Sequence, residues 1–70
     1  MFVKRSLSLS GHATSVALEP EFWAVIDAVV EREKRSFAGL VAEIDEARAP
    51  DQPLSSACRV WALKQAQAGV

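Results

Sequence analysis

The sequence predicts a mainly α-helical fold with a short β-ribbon, built as an intertwined homodimer and extended by a third, C-terminal helix. Three observations support this prediction. Polar and apolar residues alternate near the N-terminus, apolar residues then recur at helical spacing in three later segments, and the chain has only 70 residues. A chain this short buries only about 60% of its unfolded surface, so it usually needs a disulfide, a metal or a partner subunit.

A partner subunit is the stabilising device that the composition favours. Cys58 is the single cysteine, so the chain cannot form an internal disulfide. His12 is the single histidine and lies far from Cys58 in the sequence, whereas a structural zinc site takes four Cys or His ligands in close pairs. We therefore expect no metal and no other cofactor. Half of the residues are apolar, which suits a subunit that packs against its own copy, as a dimer or a tetramer.

The N-terminal part has the period-two pattern of half-buried strands. Residues 6–10 alternate serine and leucine, and Gly11 then interrupts the pattern. Residues 14–18 resume it, with Ser15 and Ala17 on the face opposite Thr14, Val16 and Leu18. A single short strand leaves its backbone groups unpaired. We therefore expect residues 14–18 to pair antiparallel with their own copy, and the strand around residues 7–9 either extends this ribbon or packs onto a second dimer.

The first helix is predicted to begin at Pro20, which lacks the N–H group that a first helical residue does not use. Glu19 and Glu21 place negative charge at the positive end of the helix dipole. Its apolar face contains Phe22, Trp23, Val25, Ile26, Val29 and Val30, and the mixed-charge residues 31–35 end it.

Two further helices follow. Ser36 is a good N-cap for the second, and Gly39 within it indicates a close backbone approach. The apolar stripe of this helix is Phe37, Leu40, Val41 and Ile44. After a linker with two prolines, the third helix has a stripe of Leu54, Ala57, Cys58 and Trp61.

The chain divides into three predicted parts. Residues 1–12 form an N-terminal arm or an extra strand, residues 13–48 the ribbon and helix core, and residues 49–70 the linker and C-terminal helix. The residues expected to form the core of the dimer are Val16, Leu18, Phe22, Ile26, Leu40 and Ile44.

The run Gly11-His12-Ala13-Thr14-Ser15-Val16-Ala17-Leu18-Glu19-Pro20-Glu21-Phe22-Trp23 resembles a bacterial branch of the ribbon-helix-helix (MetJ/Arc-type) superfamily. The segments 40–45 and 54–60 resemble it as well, and the resemblance covers about residues 4–64. It implies a two-stranded antiparallel ribbon that enters the DNA major groove, while the start of the second helix holds a backbone phosphate. The DNA-contacting residues that it implies, together with nearby basic residues, are Lys4, Arg5, Ala13, Ser15, Ala17, Arg35, Ser36 and Phe37.

The sequence departs from this family where bases would be contacted. The outer strand positions commonly carry arginine or other long polar side chains, whereas this chain has alanine at positions 13 and 17. Alanine offers only an apolar contact, for example to a thymine methyl group, so Ser15 is the one hydrogen-bonding group left on that face. We therefore expect thin base recognition, with phosphate contacts doing most of the positioning.

The main functional hypothesis is a dimeric DNA-binding regulator of transcription. The alternative is a protein-interaction module that holds a partner on its second or third helix, as antitoxins hold toxins. Lys4 and Arg5 precede a segment, residues 19–51, that carries all nine carboxylates, which fits an anionic partner at the N-terminal end. We expect no enzyme activity, because the chain lacks a phosphate-binding glycine loop, a nucleophile elbow and a dinucleotide motif.

Other features have structural interpretations. Trp23 and Trp61 lie beside apolar stripes, so we expect both in the core or an interface, and we expect Cys58 to be a small buried hydrophobe. His12 is expected to be exposed in a turn. No secretory signal and no membrane span is apparent, which together with the unpaired cysteine suggests a cytoplasmic protein.

Overall fold

The computed structural model describes residues 1–69, and it contains a β-hairpin followed by three helices. The predicted order of ribbon, helix, helix and C-terminal helix is confirmed. The elements are β1 (Val3–Leu9), β2 (His12–Leu18), α1 (Pro20–Glu33), α2 (Phe37–Ala47) and α3 (Leu54–Ala68).

The two strands form an antiparallel hairpin within one chain. Its register runs from Val3 opposite Leu18 to Leu9 opposite His12, so only Ser10 and Gly11 form the turn. Both turn residues have positive φ angles, 50° for Ser10 and 81° for Gly11. Two successive positive φ angles define the type I′ turn, whose twist matches that of the two strands, and glycine adopts such a φ without strain.

Residues 14–18 have a different partner from the predicted one. In the structure β2 pairs with β1 of the same chain, and both strands are longer than the alternating segments suggested. The Gly11 region, interpreted as an interruption, is the turn that brings the two segments into register. One edge of β2 is thus filled within the chain, and pairing of its other edge with a copy stays a prediction.

The helix boundaries follow the predicted local signals. Pro20 begins α1 after an extended Glu19, and Lys34 ends it in the left-handed conformation with φ of 52°. Ser36 caps α2, because its side chain accepts a hydrogen bond from the Gly39 amide. These local signals fix where α1 and α2 begin and how the chain turns between them.

The core lies between the inner face of the hairpin and the three helices. The third helix packs against α1, α2 and β2, and it adds Ala57, Cys58 and Ala62 to the core. The other buried side chains come from the hairpin and the first two helices: Val16, Leu18, Trp23, Ile26, Val29, Leu40, Val41 and Ile44. Most of the residues expected in a dimer core are therefore already buried within one chain, with Phe22 partly buried at the margin.

Cys58 and Trp23 are buried as predicted, and Trp61 packs partly buried against the core. Burial raises the pKa of the Cys58 thiol to about 11, so the side chain is a neutral, inert apolar group. Among residues 1–69 no helix is long and apolar enough to cross a membrane. In the same residues no three His, Cys, Asp or Glu side chains are grouped so that they could hold a metal ion.

Candidate nucleic-acid interface

The hairpin has two faces that differ in composition. Side chains alternate across a strand, and the register fixes which residues of β1 and β2 share a face. The inner face, toward the helices, consists of Val3, Arg5, Leu7, Leu9, His12, Thr14, Val16 and Leu18. The outer face consists of Lys4, Ser6, Ser8, Ala13, Ser15 and Ala17.

The outer face consists mostly of small side chains. It contains three cross-strand pairs: Lys4 with Ala17, Ser6 with Ser15, and Ser8 with Ala13. All of these residues are exposed except Ala17, which is partly buried. Lys4 is the single charged side chain on this face, and the three serines supply its side-chain hydrogen-bonding groups.

Arg5 lies on the opposite side of the hairpin from Lys4. Its guanidinium donates two hydrogen bonds to Asp27 of α1, with Nη1–Oδ1 and Nη2–Oδ2 distances of 2.7 and 2.9 Å. The same group lies 4.5 Å from the centre of the Trp23 ring and 5.6 Å from that of Phe37. Of the two basic residues predicted to meet phosphates from the N-terminal strand, only Lys4 is therefore free of a partner within residues 1–69.

The Arg5–Asp27 pair is reflected in the protonation of both groups. The hydrogen bonds from Arg5 hold the pKa of the Asp27 carboxyl below its ordinary value, and Asp27 raises the pKa of Arg5 in turn. Both groups stay charged at neutral pH. Asp27 was not singled out by the sequence analysis, because nothing local links two residues that lie 22 positions apart.

Trp23 joins the hairpin to the helices. Its indole Nε1 donates a hydrogen bond of 2.7 Å to the Val3 carbonyl oxygen, at the beginning of β1. Its ring packs against the Phe37 ring with centroids 5.5 Å apart and planes tilted by 56°. The Trp23 side chain thus holds β1, Arg5 and the first residue of α2 together.

The first turn of α2 has free amide donors beside Arg35. Ser36 Oγ accepts from the Gly39 amide at 2.9 Å, while the amides of Phe37 and Ala38 have no hydrogen-bond partner among residues 1–69. Arg35 is paired with Glu43 and, at 3.3 Å, with Glu33. These carboxylates raise the pKa of Arg35, and they offset its charge near the start of α2.

Gly39 permits a close approach, but by the Ser36 side chain and not by backbone as the sequence indicated. A Cβ atom at this position would lie 2.8 Å from Ser36 Oγ, which is inside contact distance. The glycine therefore leaves the serine hydroxyl room to cap the helix.

The structure sorts the predicted DNA-contacting residues into two groups. Lys4, Ala13, Ser15 and Ala17 share the outer face of the hairpin. Arg5 and Phe37 are in contact, and Arg35 and Ser36 immediately precede Phe37 at the start of α2. Ser6 and Ser8 belong to the outer face but were missed, although the alternation through residues 3–9 combined with a two-residue turn would have placed them there.

A shallow groove lies away from the hairpin, between the end of α2, the following loop and α3. Its volume is about 160 Å³, and Trp61 and Val60 form one wall. Arg48 and Lys64 also line it, and Val60 and Leu63 expose 42% and 52% of their surface. Arg48 is held by Asp45 and by the backbone oxygen of Gln52 at 2.7 and 2.8 Å.

Residues 2–66 match the family described as the ribbon-helix-helix domain, and the chain belongs to this family. Proteins of this family are generally DNA-binding regulators of transcription. Comparisons with curated proteins and with solved structures give no significant match.

Proposed function

We propose that this chain is a DNA-binding regulator of transcription that acts as a homodimer and places the outer face of its hairpin in the major groove. The observation that carries the proposal is that face itself. It has no helix over it, it bears Lys4 and three serines, and it belongs to a ribbon-helix-helix domain. The same family membership argues against an enzyme.

The free edge of β2 is the surface through which two copies would pair. In a hairpin with a two-residue turn, Leu9 and His12 close the turn as a hydrogen-bonded pair, and every second pair then repeats that pattern. By this alternation, the backbone groups of Ala13, Ser15 and Ala17 point away from β1. A copy paired antiparallel about Ser15 would satisfy all of them and would produce a four-stranded sheet with the two β2 strands in its centre.

This sheet would approach DNA differently from a ribbon of only two strands. Its outer strands would be about 14 Å apart, since neighbouring strands are spaced by about 4.8 Å. The major groove is about 12 Å wide, so the central β2 strands face the bases while the β1 strands, with Lys4, come toward the phosphates. The short side chains of Ala13, Ser15 and Ala17 let the backbone approach the base edges closely.

The chemistry of this face predicts weak base selectivity and strong salt dependence. Ser15 can exchange a hydrogen bond with a base, and the two alanine methyl groups suit thymine. Lys4, and the free amides of Phe37 and Ala38 in the first turn of α2, would bind phosphate oxygens. Arg35 adds charge there, partly offset by Glu33 and Glu43.

Disulfide trapping tests the dimer. In a pair centred on Ser15, the two Cα atoms lie about 5.5 Å apart, within the range that a disulfide spans. Ser15→Cys should therefore give a covalent dimer on mild oxidation. Ala17→Cys is the matched control on the same face, because its two copies would lie roughly 14 Å apart. Equal trapping of both variants, or of neither, contradicts the pairing.

A mobility-shift titration against duplex DNA tests the function. The wild-type protein should bind at 50 mM salt, and Lys4→Ala should weaken binding and flatten the salt dependence by about one unit per lost phosphate contact. Lys64→Ala, which removes an exposed lysine of α3, is the control and should leave the salt dependence unchanged. Absence of binding by the wild-type protein at low salt contradicts the proposal.

We infer a second candidate function from the groove on α3, which is to bind an acidic amphipathic helix of a protein partner. Val60 and Lys64 line the groove and supply exposed apolar surface and positive charge. Leu63 does not line the groove but adds exposed apolar surface on the same helix. Cross-linking in cells from Lys64 to an acidic helix, lost in Leu63→Arg and kept in Lys4→Ala, supports this function. If the residues of the groove stay fully accessible to a labelling reagent in cells, this function is contradicted.

A further inference from the structure

Arg5 is held in a setting that fixes its orientation and directs one edge of its guanidinium to the Asp27 carboxylate. The rings of Trp23 and Phe37 lie near its guanidinium, at centroid distances of 4.5 and 5.6 Å. Asp27 takes two of its N–H groups along one edge, with both distances under 3.0 Å. The guanidinium is thus placed by aromatic contacts on one side and bound by a carboxylate on another.

The carboxylate is at the surface and can exchange. The side chain of Asp27 is 51% exposed and that of Arg5 is 35% exposed. Ion pairs that water reaches are individually weak, because solvent and salt screen them. The aromatic contacts of Arg5 do not depend on Asp27, so the guanidinium keeps its place when the carboxylate leaves.

Arg5 lies on an outer strand of the proposed DNA-binding sheet. In that sheet β1 is the outer strand, and α2 packs against it. Phe37, the first residue of α2, contacts the Arg5 guanidinium. A phosphate backbone that follows the edge of β1 would therefore pass beside Arg5.

We propose that Asp27 occupies a phosphate-binding position in the free protein, and that a DNA phosphate displaces it from the Arg5 guanidinium. This inference rests on the proposed DNA-binding function, which it deepens by adding a contact and its internal competitor. A phosphate presents two oxygens to a guanidinium in the same forked geometry as a carboxylate, so the exchange preserves both hydrogen bonds. Asp27 thereby lowers DNA affinity while it holds β1 against α1.

The test compares two variants of α1 that each remove one negative charge. Asp27→Asn frees Arg5, whereas Glu31→Gln changes an exposed acid one turn further along the same helix that has no ion-pair partner among residues 1–69. At 50 mM salt we expect Asp27→Asn to bind duplex DNA about tenfold more tightly than Glu31→Gln, with a steeper salt dependence by about one unit per subunit. Equal affinities of the two variants overturn the proposal.

A second substitution shows whether Arg5 carries the gain. Arg5→Lys keeps the positive charge but cannot make the forked pair of hydrogen bonds. When it is combined with Asp27→Asn, the affinity should fall back to that of Glu31→Gln. A gain that persists in the double variant overturns the proposal, because it would come from the lost charge alone.

A titration with inorganic phosphate separates this inference from the proposed function. The Nε–H resonance of Arg5, followed by NMR, should shift with added phosphate in Asp27→Asn and stay nearly unchanged in Glu31→Gln. If no variant binds DNA but this shift occurs, the proposed function fails and the anion site on Arg5 remains supported. If DNA binds normally and the shift is equal in both variants, the inference about Asp27 is overturned and DNA binding stands.

Discussion

The inner and outer faces of the hairpin differ in how strongly packing constrains their residues, although these residues alternate along the same two strands. The inner face is specified by packing: Val16 and Leu18 expose 3% and 0% of their surface, and Arg5 is bound on that side by Asp27. The side chains of the outer face are almost all exposed and pack against little of the chain. They are serines, alanines and one lysine. Substitutions at neighbouring positions should therefore separate folding from binding.

The largest expected effect comes from the pair Val16 and Ser15. Val16→Asp puts an unpaired carboxylate into the core and should cost about 4 kcal/mol of the free energy of unfolding, which is enough to unfold a small domain. Ser15→Asp, one residue earlier on the exposed face, should leave the fold of each chain intact. It should lose DNA binding, because its carboxylate repels DNA and the two copies' carboxylates would lie opposite each other at the centre of the proposed dimer. Circular dichroism and a mobility shift measure the two effects. Similar stability of both variants would remove the distinction between the faces.

A smaller effect is expected where Trp23 ties the inner face to the helices. Trp23→Phe removes the hydrogen bond to Val3 and replaces the indole on which Arg5 stacks by a smaller ring, and should cost about 2 kcal/mol in chemical denaturation. Trp61→Phe is the matched control, since the Trp61 indole makes no hydrogen bond among residues 1–69, and should cost less. An equal loss of the free energy of unfolding in both variants would mean that the smaller ring alone accounts for the destabilisation.

Substitutions at the N-cap of α2 are expected to change stability by a similar or smaller amount. Ser36→Ala should cost about 1 kcal/mol, because the Gly39 amide loses its acceptor. Gly39→Ala should stabilise the Ser36→Ala variant by up to about 1 kcal/mol, but gain less in the wild type, where the added Cβ displaces the capping hydroxyl. Additive free energies in this double-mutant cycle would contradict a cap that depends on glycine.

The smallest effect concerns pH. The pKa of Asp27 is held below its unfolded value by hydrogen bonds from Arg5, so its contribution to stability is present above an unfolded pKa of about 3.9 and is lost as pH falls through the folded pKa. The stability difference between the wild type and Asp27→Asn should therefore be seen at pH 6 and vanish at strongly acid pH. A difference independent of pH in urea unfolding would argue against the ion pair.

The sequence was sufficient to predict the helices because their signals are local. Pro20 and Ser36 mark helix starts through backbone geometry that involves only the adjacent turn, and apolar spacing identified the buried face of each helix. The fold class, the cap and the burial of Trp23 and Cys58 were all predicted from such signals.

Contacts between distant segments were not predictable in the same way. The partner of β2 was assigned to a copy because the two-residue turn at Ser10 and Gly11 was not recognised as a hairpin turn. Arg5 was grouped with Lys4 by charge, although strand alternation puts consecutive residues on opposite faces. Its pairing with Asp27 depends on how α1 packs across β1, which no local pattern encodes.

The role of the outer face is tested by an NMR titration with duplex DNA at low salt that follows the backbone amide resonances of the protein. We expect the resonances of Ser6, Ser15 and Ala17 to shift together with those of the first turn of α2, while the resonances of the groove on α3 stay unchanged. Shifts confined to α3, or none on the hairpin, would contradict this role.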